Sequence, residues 1–384
     1  MEENKKRNYG IDLLRIVSMF MVVMLHILGQ GGILEVTESK EAKFAMSWFL
    51  EIIAYCAVNC YALITGFVCF SEKDKLPKFS KYMMMWLQVE FYSVLIAILF
   101  WKFGGGIIGV KQVIKSFLPV ATNQYWYFTA YTGVFFIIPW LNKIVQTLKK
   151  ENLKLYIVIL VLFTFYVTGA NLTFSIDVFG LREGYSFLWL AILYVIGAYI
   201  KKYELHYKKS KKSALKVIMG LVIFTWCWKI GIGKLTMHVL GRKTATNLFV
   251  SYMSPTIVGI AIALLFMFAN LNIKSFSQKI IQWMSPAVFG VYLLHMQPLV
   301  FDYILKNRYC YIGDLPVYLI PAAVLGNALL IFTLGVILDK IRIVMFHFLK
   351  LDKISEKIEK WIMNIRYKLC PTKKESSKCT TPTS

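Results

Sequence analysis

Residues 11–34 read IDLLRIVSMFMVVMLHILGQGGIL, an apolar stretch that carries Asp12, Arg15 and His26. Roughly 20 apolar residues in a helix cross the hydrocarbon of a bilayer, so this stretch reads as a transmembrane helix. Lys5-Lys6-Arg7 stands before it as in a secretion signal. No Ala-x-Ala cleavage pattern follows, and Arg15 and His26 interrupt the run, so it reads as an uncleaved first span. Further apolar runs lie at approximately 44–70, 82–103, 125–145, 154–172, 185–200, 214–232, 247–269, 284–304 and 316–338. The pattern predicts an all-α, polytopic integral membrane protein with about ten transmembrane helices.

Composition agrees. Of 384 residues, 58% are hydrophobic, with a mean hydropathy of +0.58; soluble domains are typically about 45–50% apolar. The formal net charge is +23, yet the basic residues fall in short strings between apolar runs. That placement reads as topogenic charge and excludes a nucleic-acid-binding face. With the N-terminus inside, the inside segments hold 31 Lys and Arg and the outside segments 12. The positive-inside rule then puts both termini in the cytosol. A membrane domain over 1–340 is followed by a basic tail over 341–384. Ile354, Ile358, Trp361 and Ile362 make residues 345–368 an amphipathic helix for the anionic inner leaflet, and the end from Thr372 reads as disordered.

Ionisable groups inside a bilayer are costly and usually face a cavity or the bundle interior. Arg15 and His26 are eleven residues apart, about 16 Å along a helix and about 20° past three full turns. They are expected to point into one cavity, with Arg15 near the cytosolic edge and His26 near mid-membrane. His295, about eleven residues into the ninth run, is expected at the depth of His26. Both histidines read as catalytic or ligand-binding groups in preference to packing. Glu90, with Gln88 on the third run, reads either as a partner for a cation or imidazolium or as a protonated, inert carboxyl. Glu51, Asn59, Ser285 and Gln297 read as interhelical hydrogen-bonding groups. His206, His238 and His347 read as surface residues. Cys56 and Cys60 share a helix face as packing residues, and no metal site is expected. Gly104-Gly105-Gly106 reads as an outer turn. Tyr125-Trp126-Tyr127-Phe128 reads as an interfacial aromatic belt.

Ile11-Asp12-Leu13-Leu14-Arg15, followed after ten residues by His26, resembles the opening of the acyltransferase 3 family of bacterial membrane acyltransferases. Leu63-Ile64-Thr65-Gly66-Phe67, Tyr125-Trp126-Tyr127-Phe128 and Ser285-Pro286 through Tyr292-Leu293-Leu294-His295 are similar to three further family segments. The resemblance covers roughly 10–340. It implies transfer of an acyl group, commonly acetyl from cytosolic acetyl-CoA, to hydroxyls of cell-envelope glycans outside a bacterial plasma membrane. It marks Arg15 and His26 as the functional pair. Where many members carry Arg-x-x-Arg, this chain has Lys78-Phe79-Ser80-Lys81.

These readings combine into an expected mechanism. Lysine clusters draw acetyl-CoA to the inner mouth, where Arg15, Lys78 and Lys81 bind it. His26 acts as general base or acyl acceptor, His295 orients it or serves as a second acid/base, and Trp126 and Tyr127 offer the glycan an aromatic platform. A transporter or flippase of a small molecule or glycan precursor is the competing reading, since the same polar groups would line a substrate path. A non-catalytic partner of a glycan synthase is the third. A homo-oligomer is compatible with all of them.

Overall fold

The computed structural model describes residues 7–73, 76–208 and 210–369. The expected disorder from Thr372 onward lies outside the described residues. Every apolar run contains a helix, and among the described residues there is no strand. The helices are α1 Tyr9–Leu28, α2 Ile33–Thr37, α3 Glu41–Tyr55, α4 Ala57–Cys69, α5 Phe79–Phe103, α6 Val110–Ser116, α7 Trp126–Thr147 and α8 Lys150–Phe174. They continue as α9 Phe187–Lys202, α10 Lys211–Leu240, α11 Pro255–Ala269, α12 Ser275–Met284, α13 Val288–His295, α14 Pro298–Val300, α15 Ile320–Phe348 and α16 Leu351–Leu369.

Length sorts them. Among the described residues α1, the joined α3–α4, α5, α7, α8, α10 and the helix ending in α15 are seven candidate spans, and α12–α13 with Pro298–Leu305 makes an eighth, bent by 60°. The remaining runs supply α9, with 16 residues, and α11, with 15. At 1.5 Å per residue these are about 24 and 22 Å long, short of the roughly 30 Å hydrocarbon layer. Run 247–269 becomes helical only at Pro255, which occupies the first helical position, where its missing N–H costs nothing.

α1 is the axis. It is largely buried and packs against α3, α4, α11, α12, α13 and α15. α9 is nearly as buried and lies against α4 at backbone contact. A Cβ on Gly66 would fall 1.9 Å from the Tyr194 carbonyl oxygen, and one on Gly197 would fall 2.1 Å from that of Leu63. Small residues let apolar helices meet where lipid supplies no hydrophobic driving force. α8 and α10 lie at the periphery, with apolar faces such as Leu155, Leu162, Phe224 and Leu235 left exposed for lipid.

Hydrogen bonds define two ends of the bundle. At the end where α1 begins, Asn8 donates to the Ala269 carbonyl, Asn270 to that of His206, and Gln146 to that of Ser71. At the end where α1 stops, Asn307 N–H donates to the Gln30 carbonyl, Lys40 pairs with Asp314 at 2.7 Å, and Lys234 pairs with Glu41. These are called the proximal and distal ends below.

Two surface readings are corrected here. His206 is 1% exposed, its ring against Phe67 with centroids 5.0 Å apart. The 3-10 turn after α9 folds back under the bundle, and burial, with Lys201 beside it, holds this imidazole below the ordinary histidine range. His238 and His347 are exposed as expected. The tail helix is the second correction. α15 runs past residue 340 to Phe348, and α16 packs on α5, where Ser80 Oγ donates to Glu359. Its exposed face still presents Ile354 and Trp361, the apolar side chains a leaflet surface would take up.

Candidate active site

Both histidines stand where a helix stops. Glycines end α1: Gly29 caps it, and Gly32, at φ 95°, turns the chain in the left-handed region that a Cβ disfavours. His26 therefore lies in the last turn of α1, in the distal half of the bundle. Along α1 it stands near the end of the helix and not midway. His295 is the last residue of α13. Pro298 has no N–H and disfavours helical backbone before it. Gln297 there accepts from the N–H groups of Leu299 and Val300 at 2.6 and 3.2 Å, starting a new turn in another direction. Irregular backbone at such depth is tolerated where it lines a cavity.

The two breaks bring the rings together. His26 Nδ1 lies 3.0 Å from His295 Nε2, and His295 Nδ1 lies 2.5 Å from the Val291 carbonyl oxygen. A carbonyl only accepts, so His295 Nδ1 carries the hydrogen. In a neutral His295 ring, Nε2 is then an acceptor, and His26 Nδ1 must donate to it. His26 is thereby left with a lone pair on Nε2, which has no protein partner among the described residues. One hydrogen bond to a backbone carbonyl thus fixes the tautomers of both rings.

His26 faces a cavity of about 230 Å³. Its walls are aromatic: Tyr61, Trp126, Tyr127, Tyr185, Tyr252 and Tyr292. Trp126 packs on Tyr185 at 4.6 Å between ring centroids, and Tyr185 on Tyr252 at 5.1 Å. Tyr292 comes from the turn before His295, and its hydroxyl is buried without a hydrogen-bond partner among the described residues. Gln30, exposed just beyond α1, lines the distal side. Trp126 and Tyr127, expected as a platform, are thus brought to His26. Tyr292 stands in the segment that resembles the family, ahead of His295; Tyr61, Tyr185 and Tyr252 escaped the sequence reading, because they come from three separate segments with no shared spacing.

The remaining expected residues lie elsewhere. Arg15 does not line this cavity, contrary to the shared cavity expected. Asp12, one turn earlier, captures its Nη1 at 2.8 Å and is itself held by Arg7 Nε at 2.5 Å. Tyr61 links the two places, since it lines the cavity and its hydroxyl donates to the Arg15 carbonyl at 2.7 Å. Lys78 and Lys81 lie at the proximal end. Lys78 lines a separate 370 Å³ cavity with Ser80 and residues of α16, while Lys81 is exposed. Glu90 lines neither cavity, and one of its carboxyl oxygens is buried without a partner among the described residues.

Glu90's neighbours belong to a polar cluster that sequence reading missed. Asp339, fully buried, accepts from Gln88 Nε2 and Tyr92 Oη at 2.9 Å and from Arg342 Nε at 3.0 Å and Nη2 at 2.7 Å. A Cβ on Gly290 would fall 2.2 Å from the Asp339 carboxyl, so α13 rests on this cluster. Among the interhelical groups, Asn59 donates to the Tyr252 carbonyl at 2.7 Å and accepts from Trp189 Nε1 at 3.2 Å, fixing one cavity wall.

A bundle of apolar helices long enough to cross a membrane, with two imidazoles meeting beside an aromatic cavity, defines the class: a polytopic helical membrane protein with a polar site inside the bundle. The family model described as an acyltransferase domain matches residues 8–338, nearly the whole described bundle, and the chain belongs to that acyltransferase 3 family. Neither the curated proteins nor the solved structures compared with it gave a match. Family membership makes the chain a membrane acyltransferase.

Proposed function

We propose that this chain is a bacterial plasma-membrane O-acyltransferase that moves acetyl from cytosolic acetyl-CoA to a hydroxyl of an extracytoplasmic envelope glycan. The observation that carries this reading is the free Nε2 of His26, its tautomer set through His295 and Val291, facing an aromatic cavity. The Lys and Arg distribution supports a cytosolic proximal end, with both termini there.

In the proposed reaction an acceptor hydroxyl enters the cavity from the distal side. His26 Nε2 takes its proton as the oxygen attacks the thioester carbonyl. The C–S bond then breaks, and the proton returns to the leaving thiolate. His295 is a positioning residue: it holds the ring and shares the charge of the transient imidazolium. Such a base contributes about 10²–10⁴ in rate. The Tyr292 hydroxyl can donate to the oxygen that develops charge. On the proximal side Arg15 keeps Nη2 and Nε without a side-chain partner among the described residues, and these could take a phosphate or amide oxygen of the donor. The extended pantetheine arm would cover the roughly 16 Å from Arg15 to His26.

Proteoliposomes loaded with acetyl-labelled CoA test this. Label on the added envelope glycan is the expected result. Passage of unmodified glycan or donor across the bilayer, with no label transferred, would replace the proposal with the transporter reading.

A further inference from the structure

A larger cleft opens at the distal end between α3, α10 and the segment after α10. Its volume is about 990 Å³, at the top of the usual range of about 300–1,000 Å³ for ligand sites. The mechanism above does not use it. Its floor carries a buried cation. Lys229, 6% exposed, sits over the Trp48 ring at 3.5 Å from the centroid and donates to Asn247 Oδ1 at 2.5 Å. Among the described residues Trp48 Nε1 has no hydrogen-bond partner, and neither does Glu51 Oε2 on the next turn, at a residue 6% exposed. Buried donors and acceptors are normally satisfied, so these two groups on the helix that walls the cleft are unusual.

One stripe of α3 joins this cleft to the catalytic cavity. Phe44, Trp48, Glu51 and Tyr55 are spaced by four, three and four residues and so share a helix face. Phe44 and Trp48 line the cleft, with centroids 6.1 Å apart. Tyr55, at the other end of the stripe, packs on Tyr252 at 4.8 Å, and Tyr252 lines the His26 cavity. The stripe spans eleven residues, about 16 Å of helix.

The lining also narrows the class of ligand. Glu35, Glu38 and Glu41 face Lys229, Lys234 and Lys243. Lys234 pairs with Glu41, and Lys243 with Glu38 at 3.5 Å. With charges of both signs in equal number, the cleft has no single-sign field to attract a polyanion. It offers instead aromatic edges, an amide, an ammonium and carboxylates, a set that suits hydroxyls presented on apolar C–H faces.

We infer that the cleft between α3 and α10 binds an uncharged oligosaccharide stretch of the acceptor, with the α3 stripe leading one sugar hydroxyl toward His26. This rests on the acyltransferase reading and names where that reaction holds its acceptor. The 230 Å³ cavity would take only the reacting unit, and the cleft the sugars behind it.

The test is calorimetric titration, without donor, of the full-length protein in nanodiscs. The probes are neutral and acidic oligosaccharides released from the producing cell's own envelope and separated by anion exchange. The neutral fraction is expected to bind. Trp48→Leu and Lys229→Met should each weaken it by about tenfold or more, as loss of an anchoring contact does. Met237→Trp, at an exposed position lining the cleft, should weaken it by filling the space without touching the core. Wild-type affinity in monodisperse Met237→Trp and Lys229→Met would overturn the site, and binding of the acidic fraction alone would overturn the ligand class. Label transfer by the wild type, followed separately, tells the two proposals apart. Transfer with unaltered affinity in the variants removes the cleft and keeps the transferase. Binding in the cleft without transfer keeps the cleft and removes the transferase.

Discussion

His295 presents Nε2 to His26 Nδ1 at 3.0 Å while its own Nδ1 is tied to the Val291 carbonyl of the same helix at 2.5 Å. The pair is therefore unequal. His26 holds the free basic nitrogen, and His295 has both nitrogens engaged. His26→Ala should lower acetyl transfer by at least about 10²-fold, the low end of general-base assistance. His26→Gln should be as inactive, because an amide does not take the proton. His295→Ala should cost less, and His295→Gln should recover part of the loss, since its amide oxygen can accept from His26 Nδ1 where Nε2 did. Steady-state rates for the four variants check this order. A His26→Ala rate within about threefold of wild type would sink the role of His26.

Some of this was legible in the sequence and some was not, for physical reasons. A charge or imidazole in an apolar run stands out, so Arg15, His26 and His295 were visible. Their depth was not, because hydropathy continues through Ile33 and Leu34 while Gly29 and Gly32 end the helix. The aromatic walls were half visible. Trp126 and Tyr127 are adjacent in one motif and Tyr292 stands in another, but Tyr61, Tyr185 and Tyr252 are scattered among 22 tyrosines and converge only in three dimensions. Lys229 counted among the topogenic charges and Arg342 among those of the basic tail, and nothing in the sequence marks either of them, or Asp339, as buried.

The Asp339 cluster predicts a stability effect that reaches the site. Arg342→Ala would leave the buried Asp339 carboxylate without its cation, a change that typically costs about 3–5 kcal/mol. Gly290→Ala would press a methyl into the Asp339 side chain, at a cost of about 1–3 kcal/mol or more. Thermal unfolding of detergent-solubilised protein should show both losses. Gly290→Ala should also lower transfer, because α13 carries His295. Full stability in Arg342→Ala would mean that the cluster does not support α13.

The topology proposal can be read on one helix. α10 runs for 30 residues from Lys211 to Leu240, about 45 Å. Ser210 caps its start and Leu240 ends it. In sealed cells, in a background without the native cysteines, a membrane-impermeant thiol reagent should label Leu240→Cys and spare Ser210→Cys until the membrane is opened. Labelling of Ser210→Cys in sealed cells would reverse the orientation drawn from the basic residues.

The last prediction concerns Arg15, which the structure separates from the His26 cavity and ties to Asp12 at 2.8 Å. If Arg15 binds the donor, its loss should act on the donor alone. Arg15→Ala should raise the KM for acetyl-CoA by about tenfold or more, since a charge-assisted hydrogen bond is worth about 1.5–3 kcal/mol. It should leave the KM for glycan unchanged. Arg15→Lys should recover only part, because a point charge replaces a planar fork and one donor is still drawn to Asp12. Asp12→Asn separates donor binding from structure. It keeps an oxygen to accept from Arg15 and removes the carboxylate beside the arriving phosphates, so it should hold the donor KM at or below wild type. The opposite pattern, with Asp12→Asn as damaging as Arg15→Ala and both lowering thermal stability equally, would show that the Arg7–Asp12–Arg15 chain only staples the start of α1. In that case donor recognition would fall to the proximal cavity at Lys78.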